Sequence, residues 1–104
     1  MTLKDYQSLC IKSEPPHLTR GEEALLGLMG LNASAGEALG MYHKTLFEGV
    51  ELDEKRLTEV LGEAIRHIAI VAHAADIELV DILKKDSEIL SKAEVKDVPK
   101  EETV

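Results

Sequence analysis

The segment from Glu54 to Ala75 constrains this chain more than any other. Leu57, Val60, Leu61, Ile65, Ile68 and Val71 recur there at helical spacing, and the alanines between them make the second half apolar nearly all round. A helix of that kind is buried on more than one side, so the rest of the chain must be arranged to cover it. With 104 residues there is enough for one small domain and too little for two separate cores. The sequence has no Trp, one Phe and two Tyr, so the cover has to be aliphatic and alanine-rich. That composition suits helix against helix better than a sheet sandwich. The expected fold is all-α, an antiparallel four-helix-bundle-like domain. The apolar excess of the third helix further predicts a homodimer or homotetramer.

The other elements follow from local signals. Leu3, Tyr6, Leu9 and Cys10 predict a first helix over residues 2–12, ended by a rigid connector at Pro15 and Pro16. Thr19 and Glu22 have capping-box spacing, and a second helix is expected from Gly21 to Phe47, stopping at Gly49. It carries Gly27, Gly30, Gly36 and Gly40, each costing about 1 kcal/mol relative to Ala in a helix interior. Close helix contact, a cleft along one face, or a break in the helix would each account for them. Asp53 is the expected N-cap of the third helix and Asp76 that of a fourth, whose stripe is Ile77, Val80, Leu83 and Ile89–Leu90. Residues 1–92 thus read as one helical domain and residues 93–104 as a flexible acidic and polar tail.

The net charge of −8 argues against a nucleic-acid backbone or an anionic membrane as partner, since either would be repelled. No run of apolar residues is long enough to span a bilayer. The opening Met1–Tyr6 lacks the apolar stretch of a signal peptide, and the lone Cys10 suits a reducing compartment, so a cytoplasmic location is expected.

Two polar stripes interrupt the apolar helices. Glu37 shares a face with Gly30, Ala33, Ser34, Met41 and Lys44, where small residues leave room for a ligand. Glu59, Glu63 and His67 are spaced i, i+4, i+8, with Arg56 on the same side. Facing helices can converge such donors on a metal ion. The plainer reading is a solvated stripe in which Glu63 pairs with Arg66 or His67. His43, His67 and His73 lack the spacing of a zinc set, and no phosphate-cradling glycine loop or nucleophile elbow is present.

From Leu28 to Leu90 the order of elements carries Gly36-Glu37-Ala38, Lys44-Thr45-Leu46-Phe47-Glu48-Gly49, Leu61-Gly62-Glu63 and Asp76-Ile77-Glu78-Leu79. This layout resembles the MazG-like all-α nucleoside triphosphate pyrophosphohydrolases. Members of that family hold Mg²⁺ with a Glu-x-x-Glu on one helix and a Glu-x-x-Asp on the next. Water then attacks between the α- and β-phosphorus atoms, releasing a nucleoside monophosphate and pyrophosphate. The resemblance implies Glu37 and Glu63 as catalytic metal ligands for Mg²⁺ or Mn²⁺. It also implies a cleft for a nucleoside triphosphate between the second and third helices. The remaining ligand positions depart from the pattern: Ser34, at most a weak hydroxyl ligand, replaces the first Glu, and Val60 replaces another carboxylate. Glu63 stands for Asp, Asp86 for a family Asn, and Ile89 for a family Lys. Glu59 and Asp86 are the candidates to complete the metal site, and Lys44, His67 and Lys84 the candidates to contact the nucleotide.

Hard divalent cations require several anionic oxygens, so two missing carboxylates weaken such a site severely. Two readings therefore stand side by side. One is a divergent pyrophosphohydrolase, converting a (d)NTP to a (d)NMP and pyrophosphate. The other is a catalytically inactive bundle serving as an oligomeric binding or regulatory module. A coiled-coil adaptor without a pocket is disfavoured, because glycines and polar stripes interrupt a heptad seam.

Overall fold

A computed structural model describes residues 1–93; the tail reading therefore falls, from residue 94 onward, outside the described residues. Four helices and no strand make up these residues: α1 (Leu3–Lys12), α2 (Arg20–Glu48), α3 (Glu54–Ala74) and α4 (Leu79–Lys92). None of them is long and apolar enough to cross a membrane.

The boundaries have identifiable causes. Thr2 with Asp5 and Thr19 with Glu22 form reciprocal capping boxes, each satisfying two orphan N–H groups at a helix start. Asp53 accepts from the Arg56 N–H at 3.0 Å and starts α3. Gly49 ends α2 in the left-handed conformation (φ 70°), as its position after the last apolar residue predicts. The expectation at Asp76 is corrected. Asp76 lies in the left-handed region (φ 60°), and Glu78 starts α4 without a side-chain capping bond. The Asp76 carboxylate is instead engaged by Arg20 at 2.7 Å.

An antiparallel α2–α3 hairpin is the frame of the molecule. Glu23 lies against His73, Gly27 against Ile70, Gly30 against His67 and Glu37 against Arg56, which fixes the register along its length. The α2 face turned toward α3 is small and polar, with Glu23, Gly27 and Ser34 buried. A Cβ on Gly27 would lie 2.7 Å from Val71 Cγ2, and one on Gly30 would fall on the His67 ring. Close contact is thus the role of two of the four glycines. Gly36 and Gly40 have nothing within 4 Å of a Cβ and face open space.

The first helix packs on α3, and α4 touches α1 and α3 near its start; among the described residues α4 does not meet α2. The core sits at this end, where Cys10, Ala69, Ile70 and Leu79 are buried and Tyr6, Ile68 and Ile82 pack around them. Gln7, itself buried, holds the junction. Its Nε2 donates to the Ala69 and Ile77 carbonyls at 3.2 and 3.1 Å, and its Oε1 accepts from Leu79 N–H at 2.9 Å. The radius of gyration, 16.7 Å, exceeds the roughly 13 Å of a compact domain near 100 residues. The arrangement is an open hairpin with two shorter helices clustered at one end.

Much apolar surface is left uncovered. On α2, Leu25, Leu28, Leu39, Tyr42 and Leu46 are all exposed, as are Leu61 and Ile65 on α3 and Ile89 and Leu90 on α4. Leu25, Leu28, Leu39 and Leu46 lie on the exposed side of α2, while Gly27 and Gly30 lie against α3.

Candidate functional site

Of the residues singled out in the sequence, the hairpin brings Glu37, Glu59 and Glu63 around one centre. That centre is occupied by the guanidinium of Arg56. Its Nε and Nη2 donate to the two oxygens of Glu37 at 2.8 and 2.9 Å, a bidentate fork. Its Nη1 reaches Glu59 at 3.2 Å and, more weakly, Glu63 at 3.5 Å. The hydrogen bonds from Arg56 hold the Glu37 carboxyl below its ordinary range, and those carboxylates in turn raise the guanidinium. All four side chains are partly solvated, between 32% and 53% exposed.

Neither position that departs from the Glu-x-x-Glu and Glu-x-x-Asp pattern adds a donor to this centre. Val60 is 1% exposed and apolar, so it belongs to the helix packing. Ser34, 4% exposed, lies on the inner face of α2 with the glycines. Three carboxylates sharing one built-in cation do not fit a site for Mg²⁺, which needs anionic oxygens free to reach it. Glu63 pairs with Arg56, and His67 meets Glu63 only through the backbone, its Nδ1 lying 2.7 Å from the Glu63 carbonyl oxygen.

The other candidates are dispersed. Lys44 is exposed further along α2, and Lys84 is exposed on α4. Asp86 lines a shallow, largely apolar groove with Ile77, Ile82 and Ile89, on a helix that does not approach α2. The His67 ring covers Gly30 and borders a cavity of about 490 Å³ shared with Glu14, Leu26 and Arg66.

A second polar cluster, at the opposite end of the hairpin, joins Glu14 and Glu23, which the sequence does not single out, to His73, whose spacing to the other histidines gave no zinc set. His73 Nδ1 and Glu23 Oε2 are 2.7 Å apart, and Glu14 from the connector completes the group. Burial, and then a hydrogen bond to Glu23, push the Glu14 carboxyl up to about 7. Glu23 moves the other way: burial alone would raise it, but hydrogen bonds from Glu14 and His73 lower it overall. The two carboxyls thus shift in opposite directions beside one imidazole. Helical spacing carried a signal for Glu23, since it precedes Gly27, Gly30 and Ser34 at steps of four, three and four along the buried face. Nothing in the sequence marks Glu14, which is brought in by the turn through Pro15 and Pro16.

The chain matches no protein-family model, no curated protein and no solved structure.

Proposed function

We propose that this chain is a divergent MazG-like helical bundle acting as an oligomeric binding or regulatory module, with its carboxylate cluster held by Arg56 in place of a divalent cation. The observation that carries this reading is the guanidinium at the centre of Glu37, Glu59 and Glu63. A permanent side-chain cation neutralises the carboxylates without any ion from solution, and the fork to Glu37 fixes its orientation. The self-association half of the reading is supported by the outer face of α2. Leu25, Leu28, Asn32, Ala35, Leu39, Tyr42 and Leu46 follow alternating steps of three and four, and all are exposed. That is the spacing of a seam between helices, with one polar residue within it. A second copy of the chain is the partner this seam fits.

One observation favours the pyrophosphohydrolase reading as the alternative. Glu59 does stand beside Glu63, giving three carboxylates around one point, and the Arg56 side chain is 38% exposed and able to swing away.

A single preparation separates the two. Pyrophosphate release is measured from ribo- and deoxyribonucleoside triphosphates with Mg²⁺ or Mn²⁺, with Glu63→Ala as control, and the mass is measured by light scattering. The module reading expects no release and a mass of two or more chains, falling to one chain in Leu39→Glu/Leu46→Glu. Turnover that disappears in Glu63→Ala would establish the hydrolase instead, and a monomeric wild type would remove the oligomer.

A further inference from the structure

The connector, α2 and α3 each contribute one side chain to a compact donor set at the closed end of the hairpin. We propose that Glu14, Glu23 and His73 bind a divalent transition-metal ion, with Zn²⁺ the best match. One donor atom from each residue lies within 4.8 Å of the others. Two carboxylate oxygens and one imidazole nitrogen suit Zn²⁺ or Co²⁺ better than a hard ion such as Mg²⁺. Three protein ligands leave a coordination position for water, and the site opens onto a cavity of about 270 Å³ lined also by Pro15, Pro16 and His17.

The surroundings distinguish this group from a solvated acidic patch. The Glu23 side chain is only 9% exposed, so its charge is withheld from water and requires a partner. Without metal, the 2.7 Å contact with His73 meets that requirement. A divalent ion replaces that contact by taking an imidazole lone pair and carboxylate oxygens, and because its ligands must be deprotonated, binding releases protons to solution. The frame around the ligands is fixed. Arg20 donates to the His73 and Ala74 carbonyls at 3.2 and 3.3 Å and pairs with Asp76, anchoring the end of α3 that presents His73. Gln7 ties α1, which leads into Glu14, to the same turn. Metal–ligand bonds of about 2.0–2.2 Å require the 2.7 Å Glu23–His73 contact to open slightly and the widest separations to close. Side-chain rotation supplies both movements.

The test is titration of the chelator-treated full chain with Zn²⁺ and with Co²⁺ at pH 7.5, followed by calorimetry in two buffers of different ionisation enthalpy and by visible absorption. The expected result is one ion per chain, proton release on binding, and Co²⁺ d–d bands of a low-coordinate nitrogen and oxygen site. Glu14→Gln and His73→Gln should each weaken binding at least about tenfold, the smaller end of what losing even an outer-shell partner costs a metal site. His43→Gln, an exposed imidazole on the outer part of α2, should leave it unchanged. Absence of saturable binding overturns the proposal, and so does equal binding by wild type and Glu14→Gln. Should His73→Gln fail to fold, Glu14→Gln alone decides, because its side chain enters from the connector and not from a helix interface.

Discussion

The two ends of the α2–α3 hairpin handle the same problem, carboxylates on a helix face turned toward a neighbour, in opposite ways. At the end covered by α1, Glu23 is buried against the His73 imidazole with half-buried Glu14 beside it, and burial pushes the Glu14 carboxyl up to about 7. At the open end, Glu37, Glu59 and Glu63 remain partly solvated around Arg56. The backbone follows the same division. Gly27 and Gly30 are where the helices touch most closely, whereas Gly36 and Gly40 meet nothing. Access to water decides which solution is available: a buried carboxylate needs a fixed neighbour to meet its charge, while an exposed trio needs only a cation within reach. A contact between a carboxylate and an imidazole can be opened by a metal from solution. A covalently tethered guanidinium cannot be exchanged.

The sharpest way to break this contrast is to fill the glycines. Gly27→Leu puts a Cβ 2.7 Å from Val71 Cγ2 and 3.3 Å from the His67 carbonyl oxygen, a backbone atom that cannot step aside. The expected loss is about 3 kcal/mol or more in urea unfolding. Gly36→Ala and Gly40→Ala meet open space and should each raise stability by up to about 1 kcal/mol. Similar losses at both ends would erase the distinction. A loss at Gly36 or Gly40 accompanied by a change in mass would instead place a second chain over them.

A smaller effect separates the clusters by pH. Glu14 is raised from 4.5 to about 7, so its native state binds a proton more tightly than the unfolded chain does. Its contribution is fully present below about pH 4.5 and lost as pH rises through 7. Glu37 is held below its ordinary range, so its contribution is present above that range and disappears as pH falls through its lowered value. Urea midpoints measured across pH should therefore show Glu14→Gln flattening the decline between about pH 4.5 and 7 and leaving the acid limb in place. An unchanged slope in that variant would mean that burial does not raise the Glu14 carboxyl in the folded chain.

The smallest expected effect is at Arg56. Exposed ion pairs contribute little, so Arg56→Met should lower stability only slightly and in a salt-sensitive manner. It leaves Glu37, Glu59 and Glu63 facing one another without a cation. Millimolar Mg²⁺ should then raise the thermal midpoint of the variant and not that of the wild type. A variant indifferent to Mg²⁺ would show that Arg56 draws the carboxylates together and that they disperse without it.

The sequence was most legible where structure is local. Capping pairs at Thr19–Glu22 and Asp53, and the stop at Gly49, lie at the expected places because each depends on residues within one turn. Asp76 misled because its carboxylate has a distant partner, Arg20, which outcompetes the local cap. Helical period also put Arg56, Glu59 and Glu63 on one face. It could not show that Glu37 lies opposite them, because inter-helix register depends on how deeply Gly27 and Gly30 let α3 approach. Nor did the glycines declare which of them are contacts. Glu14 was beyond reach for a stronger reason, since only the three-dimensional path of the proline connector returns it to the hairpin.

The Gln7 side chain has a further consequence, for the order of events during synthesis. Its partners lie 62 to 72 positions later in the chain, at Ala69, Ile77 and Leu79. At about 5–20 residues per second, α1 leaves the ribosome several seconds before those partners exist. Over that interval the nascent chain can bring together only the turn end of the α2–α3 hairpin, where Glu37 meets Arg56 across a far shorter loop, but it cannot dock α1. The first helix to be made must wait for the end of α3 before it can settle.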